Sequence, residues 1–272
     1  MISAMTVPTD YKPCMPTWPR PHFEPSNHHA DLALVLYTAA RIDGLSVSLS
    51  RHGVPEDTVR FPFRLDHYSR SDSPLLFSEL DDEPLLSLAA DEGLDLEVLR
   101  DTQHQILLRL RLPDPPDADH LRVGWGLARA ICDTVDVFGI LDLHARGWWS
   151  ASRLQSVEPD APMHIRSEVS TALVRSPGGD FGHVVHTHGL RKFARPDLVL
   201  PHLTLEQALR ADEVLYTVAR HLAAGARIHP SQPVVAGRFT GVAEAYLAGV
   251  NGPALNLNNG ALVLLPEDRV QM

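Results

Sequence analysis

Cysteine is scarce in this sequence of 272 residues, which contains only Cys14 and Cys132. Two cysteines without a CxxC pair give no disulfide framework. Cys132 stands in an apolar helical pattern, where a free thiol usually packs as a small hydrophobe. We therefore expect no disulfide bond.

Long apolar runs are also missing. The longest, such as LALVLYTAA from Leu32, fall far short of the roughly 20 residues that cross a bilayer. The N-terminal segment contains six prolines and no basic start followed by an apolar stretch, so it is not typical of a secretory signal. We predict a cytoplasmic protein that has no membrane partner.

Positive charge is in deficit, because 24 lysines and arginines face 34 acidic residues and leave a net charge of −10. Such a field repels phosphate backbones, so nucleic acid is not an expected partner. Apolar residues make up 44% and charged residues 21% of the chain, which is ordinary for a globular protein that folds.

The common catalytic signatures are absent: the sequence has no GxxxxGK[ST] loop, no GxSxG elbow and no HExxH helix. GWGLAR, from Gly124, lacks the third glycine of a dinucleotide loop and follows a proline-rich loop instead of a strand. We interpret its glycines as helix-packing positions. These absences count against the familiar enzyme classes and favour a protein that is not an enzyme.

Hydrophobic periodicity indicates an α+β fold, a mostly antiparallel sheet with helices packed on it. HQILLRLRL, from His104, alternates as a strand with one buried face, and Thr204 with Gln207 forms a capping box before an apolar helical stripe. LSVSLS, from Leu45, also alternates as a strand. Asn259 and Gly260, between apolar runs, suggest a last hairpin.

The predicted organisation is an extended, proline-rich arm over residues 1–27 and a single domain over 28–272, with a possible subdivision near 113–120. Tyr11, Trp18 and Phe23 give the arm aromatic side chains with which to dock. Residues 51–103 are acidic and are predicted to hold short helices between loops.

The most chemically loaded stretch is HTHGLRKFARPDL, which follows an apolar strand. It resembles a motif of uncharacterised bacterial proteins in domain-of-unknown-function families, H-T-x-G-[LM]-x-x-F-x-x-P-[DE]-L. The matching residues are His186, Thr187, Gly189, Leu190, Phe193, Pro196, Asp197 and Leu198. The likeness extends loosely over residues 120–224. It implies a bacterial α+β domain and carries no catalytic role.

The motif also has a purely structural interpretation. Gly189 supplies a permissive turn, Leu190 and Phe193 hold a short helix in place, and Pro196 restarts the chain so that Asp197 begins the strand DLVLPHL.

The histidines of the motif suggest a metal site as an alternative. On a strand, His186 and His188 point to one face and His183 to the other, so the three cannot share an ion without a bulge. Zinc on His186 and His188 would need a further ligand, and Glu168, His202 or Asp197 could supply it. We expect no cofactor and keep a divalent metal such as zinc as the alternative.

A hairpin between MHIRSEVSTALV and FGHVVHTH predicts a polar cluster. If Arg175 pairs with Phe181, Ser170 lies opposite His186, Glu168 lies opposite His188, and Arg166 is near one end. A carboxylate beside imidazoles suits acid/base work, anion binding or support of a metal ligand, and the same pairing also suits a surface salt bridge.

Two functions follow from these observations. The first is a non-catalytic binding or accessory protein, such as an immunity-like or regulatory partner, with a protein partner or self-association. Its acidity, its lack of catalytic signatures and the aromatic arm favour it. The alternative is a hydrolase or lyase that uses His186, His188 and Glu168, with or without metal.

Overall fold

The computed structural model describes residues 18–54, 61–176 and 179–266. Within these ranges the chain forms two mostly antiparallel β-sheets with helices packed on them, so the predicted α+β fold is confirmed. None of the helices in the described part of the chain has both the length and the apolar character that a bilayer crossing requires.

The first sheet has five antiparallel strands in the order β2-β3-β1-β4-β5. Its strands are β1 (His29–Thr38), β2 (Phe63–Ser69), β3 (His104–Pro113), β4 (Val137–Asp142) and β5 (Gly147–Trp149). Strand β3 shows the predicted alternation, because Ile106, Leu108 and Leu110 are fully buried while Arg109 and Arg111 face outward.

The second sheet has six strands in the order β6-β7-β8-β11-β10-β9. They are β6 (Ser170–Arg175), β7 (His183–His188), β8 (Asp197–Leu203), β9 (Gln232–Ala236), β10 (Phe239–Ala245) and β11 (Ala261–Pro266). Strands β8 and β11 run parallel, and the other described pairs are antiparallel.

The helices include two that are long enough to cover a sheet, α4 and α8. The α-helices are α1 (Leu49–His52), α2 (Glu83–Asp91), α3 (Leu96–Asp101), α4 (Asp119–Cys132), α5 (Ala151–Ser156), α6 (Ile165–Glu168), α7 (Leu205–Ala208) and α8 (Ala211–Ala223). Two 3-10 helices span Pro74–Asp81 and Leu190–Phe193.

One apolar cluster joins the two sheets through α4 and α8, and it includes the fully buried Leu34, Leu127 and Leu215. The glycines of GWGLAR allow α4 to pack closely: a Cβ on Gly124 would lie 2.1 Å from a Leu32 side-chain atom, and one on Gly126 would lie 2.3 Å from a backbone oxygen. This contact agrees with the predicted helix-packing role.

The described end of the predicted arm, residues 18–27, docks on the body. The Trp18 indole donates to the Ala161 carbonyl over 3.0 Å. The buried Arg20 guanidinium pairs with Asp114 at 2.7 Å and also donates to the Phe193 carbonyl. Tyr11 and Cys14 lie outside the described residues.

Several sequence predictions are wrong in detail. Residues 51–103, predicted to hold short helices between loops, also contain strand β2. The segment LSVSLS is not a strand: Ser48 caps the short helix α1 instead. The predicted helix after Thr204 has its capping box but divides into α7 and α8, with Leu209 exposed between them. Gly260 does not turn a hairpin, because its carbonyl accepts the Asp197 N–H and thereby guides β11 into place beside β8.

Candidate functional site

The stretch from His186 to Leu198 contains the end of β7, the start of β8 and the segment between these two antiparallel strands, which we call the β7–β8 connection. Gly189 has φ of +112°, and a Cβ there would lie 2.4 Å from the Glu168 carbonyl oxygen, so both the conformation and the close approach require glycine. Leu190 and Phe193 are fully buried. The β7–β8 connection therefore packs into the core and leaves no room for a side chain at Gly189.

Asp197 holds the two ends of the β7–β8 connection together. Its Oδ1 accepts the Thr187 hydroxyl at 3.0 Å and the Leu190 N–H at 3.3 Å, and the Thr187 hydroxyl oxygen accepts the Leu198 N–H at 2.9 Å. Asp197 is fully buried, and its Oδ2 makes no well-formed hydrogen bond with a described residue, although the nearby Asn259 side chain partly opposes the effect of burial on its pKa. Burial raises the pKa of Asp197 to about 7.

Lys192, within the same motif, is a buried charge that sequence reasoning missed. Its side chain is 0% exposed, and its Nζ lies 2.5 Å from Asp142 Oδ2 and 2.6 Å from Glu168 Oε2. The Trp125 indole donates to the other Glu168 oxygen at 3.0 Å. Burial opposes the charged form of Lys192, but the two carboxylates raise its pKa above the ordinary value. We call Lys192, Asp142 and Glu168 the buried triad.

The buried triad overturns the predicted polar cluster. Glu168 ends helix α6 and does not lie on β6, so it is not the cross-strand partner of His188. The observed register pairs Ser170 with His188 and Ala172 with His186, two residues away from the prediction. The cause is the hairpin turn, which pairs Arg175 with His183. Because the slip is even, His186, His188 and Ser170 still share one face.

His186 and His188 form a buried pair inside the protein. Their rings lie 4.6 Å apart, edge to face, and His186 and His188 are only 3% and 5% exposed. Burial lowers the pKa of both, that of His188 to about 3, so both rings are neutral at pH 7. The Ser170 hydroxyl donates to the Ala145 carbonyl.

Arg166 also leaves the predicted cluster. It pairs with Glu213 of α8 at 2.7 Å, and its guanidinium carbon lies 4.0 Å from the centre of the Tyr216 ring. The structure therefore brings together the two histidines and Ser170, and directs Glu168 and Arg166 to other partners.

A metal site needs at least three converging ligands. No group of three or more histidine, cysteine, aspartate or glutamate side chains among the described residues is arranged to hold an ion. His186 and His188 have each other and no third ligand within that part of the chain. The proposed additional ligands Glu168 and Asp197 are hydrogen-bonded elsewhere, and the His202 ring packs on Phe181.

A cleft of about 470 Å³ opens where the first sheet meets the second, and basic side chains dominate its walls. We call it the basic cleft. Its arginines and histidines come from distant segments of the chain and are Arg111, Arg191, Arg195, Arg227, His28, His29 and His229. Among the described residues that line it, Asp31 is the only carboxylate.

The Asp31 carboxylate, at the floor of the cleft, is already paired with basic side chains. It is 1% exposed and accepts Arg109, with Arg191 at 3.2 Å and His144 at 3.5 Å. Burial alone would raise the pKa of Asp31, but His144 and Arg109 hold it well below its usual range. Asp31 therefore stays ionised and braces two arginines.

The arginines of the cleft divide into anchored and available groups. Arg195 is buried, pairs with Asp114 at 2.6 Å and donates to several backbone carbonyls. Arg111 is exposed, and its guanidinium makes no hydrogen bond or ion pair with a described residue. Within the described ranges, the Arg227 guanidinium donates only to the Pro25 carbonyl, at 3.2 Å. Arg111 and Arg227 therefore have donors free for a ligand.

Sequence reasoning had weak signals for the basic cleft. Arg191 and Arg195 occupy variable positions of the HTHGLRKFARPDL stretch, and Arg111 lies on the outward face of a correctly predicted strand. Their convergence depends on how two sheets meet, which no local pattern encodes.

Comparison with known proteins adds no relative. No family model matches the chain, and neither a curated protein nor a solved structure is significantly similar to it. Function therefore has to be inferred from the geometry of the molecule itself.

Proposed function

We propose that the protein is a cytoplasmic, non-catalytic binding protein, an accessory or regulatory partner, whose basic cleft holds the anionic group of its ligand. The observation that carries this proposal is the pair of available guanidinium groups, Arg111 and Arg227, in one concave site. Guanidinium groups bind carboxylates and phosphates through paired hydrogen bonds.

The charge distribution supports an anionic ligand. The chain carries a net charge of −10, yet four arginines and three histidines line the basic cleft against one carboxylate, which is already paired. A cleft of one sign concentrates field lines and attracts ligands of the opposite sign. Its volume falls within the roughly 300–1,000 Å³ typical of small-molecule sites. The ligand class is a small molecule that carries phosphate or several carboxylate groups.

Binding without catalysis is favoured because the cleft lacks an oriented acid or base. Asp31 is held by arginines, and no hydrogen bond with a described residue orients the rings of His28, His29 or His229. A catalytic base normally acts next to its substrate and is oriented by a second group.

The alternative is a hydrolase or lyase that uses His186, His188 and Glu168. It has less support because Glu168 is bound to Lys192 and Trp125, and because the low pKa of His188 makes it a poor base near neutral pH.

Calorimetric titration with pyrophosphate and with citrate tests the proposal. Both anions should bind, and more weakly at high salt. Arg111→Gln and Arg227→Gln should each weaken binding about 10- to 100-fold, since a hydrogen bond to a charged group contributes about 1.5–3 kcal/mol. Arg238→Gln is the matched control, because Arg238 is exposed in the turn between β9 and β10, outside the cleft.

Three results would contradict the proposal. The first is the absence of binding by either anion, and the second is an equal effect of the Arg238 and Arg111 substitutions. The third is turnover of a phosphate ester that is lost in His186→Ala or His188→Ala, which would establish the catalytic alternative.

A further inference from the structure

Arg122, on helix α4, is a buried cation that makes no side-chain hydrogen bond or ion pair with a described residue. It is 4% exposed, and its Nε, Nη1 and Nη2 atoms are all buried. A guanidinium group stays protonated in proteins, so Arg122 cannot escape by losing its charge. Burying an unpaired charge destabilises the fold strongly.

Arg129, two turns further along α4, shows what the same side chain does when its role is structural. Its guanidinium donates to the carbonyl oxygens of Val157 at 2.6 Å, Leu154 at 3.3 Å and His52 at 3.4 Å. Both terminal nitrogens of Arg129 therefore have acceptors and only its Nε lacks one, whereas none of the three Arg122 nitrogens has an acceptor among the described residues.

Arg122 lines a small pocket of about 100 Å³ whose walls are tryptophans, which we call the tryptophan pocket. The rings of Trp125 and Trp149 lie 4.9 Å apart, and the Arg122 guanidinium carbon lies 5.8 Å from the centre of the Trp18 ring. Trp18 comes from the docked arm, so docking of the arm completes the pocket.

No carboxylate among the described residues forms an ion pair with Arg122, although Asp119 and Asp160 oppose the lowering of its pKa by burial. Glu168 is hydrogen-bonded to Lys192, and Glu158 lies exposed. Arg129 adds a second cation to the wall. A bound anion would supply acceptors to the Arg122 nitrogens once the guanidinium turns toward the pocket, because the nitrogens are buried in this conformation.

We propose that the tryptophan pocket is a second ligand site, separate from the basic cleft, and that it binds a small organic carboxylate. The carboxylate pairs with Arg122, and a short apolar group lies against the tryptophan rings. A carboxylate fits the planar fork of a guanidinium. The apolar walls and the volume, which is about that of three waters in the liquid, favour a short aliphatic chain over a larger or more highly charged anion.

Propionate and butyrate are the probes, with propionamide and butyramide as neutral controls of the same shape. Thermal unfolding and tryptophan fluorescence are the measurements, because three of the four tryptophans line the pocket. The carboxylates should raise Tm and change the fluorescence, whereas the amides should do neither.

Arg122→Met separates a ligand site from a structural arginine. Without ligand, this variant should have a higher Tm than the wild type, because it removes an unpaired buried charge, and it should lose the response to carboxylates. The control Arg129→Met should have a lower Tm, because it strips three carbonyl oxygens of their donor.

Several outcomes would overturn the inference. An Arg122→Met variant that fails to fold, or that loses as much Tm as Arg129→Met, would show a structural role. A wild-type response to the amides, or none to the carboxylates, would remove the ligand class, as would a stronger response to inorganic phosphate. Carboxylate binding that Arg111→Gln abolishes and Arg122→Met does not would place the effect in the basic cleft.

Discussion

Lys192 and Arg122 are both buried cations, and they differ in their partners. Lys192 is 0% exposed and contacts two carboxylates, whereas Arg122 is 4% exposed and its guanidinium makes no hydrogen bond with a described residue. Both are near Trp125: Lys192 Nζ is 6.0 Å from its ring centre, and Trp125 and Arg122 line the same pocket. The charge of Lys192 is paired inside the protein, whereas we propose that a ligand pairs the charge of Arg122.

The comparison teaches that burial of a charge does not by itself identify a site. In the buried triad every charged group has a hydrogen-bonded partner inside the protein, although one lysine serves two carboxylates. The free-energy cost of burying the Arg122 charge is offset by the stability of the rest of the fold. Variants that remove one charge at a time test this difference.

The largest expected effect is that of Lys192→Met. Removing the lysine leaves Asp142 and Glu168 buried without a counter-charge, which costs about 3–5 kcal/mol of unfolding free energy. Urea denaturation at pH 7 measures it. The triple variant Lys192→Met, Asp142→Asn, Glu168→Gln should recover part of the loss, because it removes all three charges. A loss under about 0.5 kcal/mol for the single variant, in the range of surface substitutions, would contradict the structural role of the triad.

Asp197 lies between the two extremes, because one oxygen is bonded and the other is not. Its pKa of about 7 exceeds its value of about 4 in the unfolded chain, so the native state holds the extra proton in that interval. The stability of the wild type should therefore fall, relative to Asp197→Asn, as the pH rises from about 4 to about 7. The total difference is on the order of 3 kcal/mol.

Unfolding free energies measured from pH 4 to 8 on both proteins test this prediction. Burial lowers the pKa of His120 and His188, which makes stability rise with pH below about 6.5, but this contribution is common to both proteins and cancels. Parallel profiles for Asp197→Asn and the wild type would show that Asp197 is ionised in the native state.

The smallest effect is expected at the exposed pair of Arg166 and Glu213, whose side chains are 52% and 82% exposed. Glu213→Gln should lower the free energy of unfolding by less than about 1 kcal/mol, and less still at high salt. The loss measured for Glu213→Gln is the reference for the changes in stability that the variants of Lys192 and Arg122 cause. A larger loss in thermal or urea unfolding would mean that this surface pair is coupled to the packing of Arg166 on Tyr216.

Much of the fold was predictable because it follows local patterns. The alternation of β3 and the capping box of Thr204 were correct, since each depends on a few neighbouring residues. The strand predicted from Met163 was wrong over Ile165–Glu168, where the chain turns into α6. That turn directs Glu168 to Lys192, a contact between distant segments that alternation cannot reveal.

The sites were much less predictable than the fold. Arg122 and Lys192 each stand beside apolar residues in the sequence, and nothing local distinguishes a buried cation from an exposed one. The histidines singled out in the sequence, His186 and His188, pack against each other, whereas His28 and His29, which no sequence pattern singled out, line the basic cleft. Burial and convergence, which decide what a side chain can bind, are properties of the assembled sheets.

The position of β11 has a consequence for the order in which the molecule can be made. Strand β11 is inserted between β8 and β10, and it comes last among the described strands. During synthesis, β8 leaves the ribosome with one edge open, and that edge stays unpaired until residues 261–266 have emerged. The edge of β8 that pairs with β11 therefore has no strand partner in the nascent chain until then, and the pairing of β11 with β8 and β10 joins the two outer hairpins into one sheet.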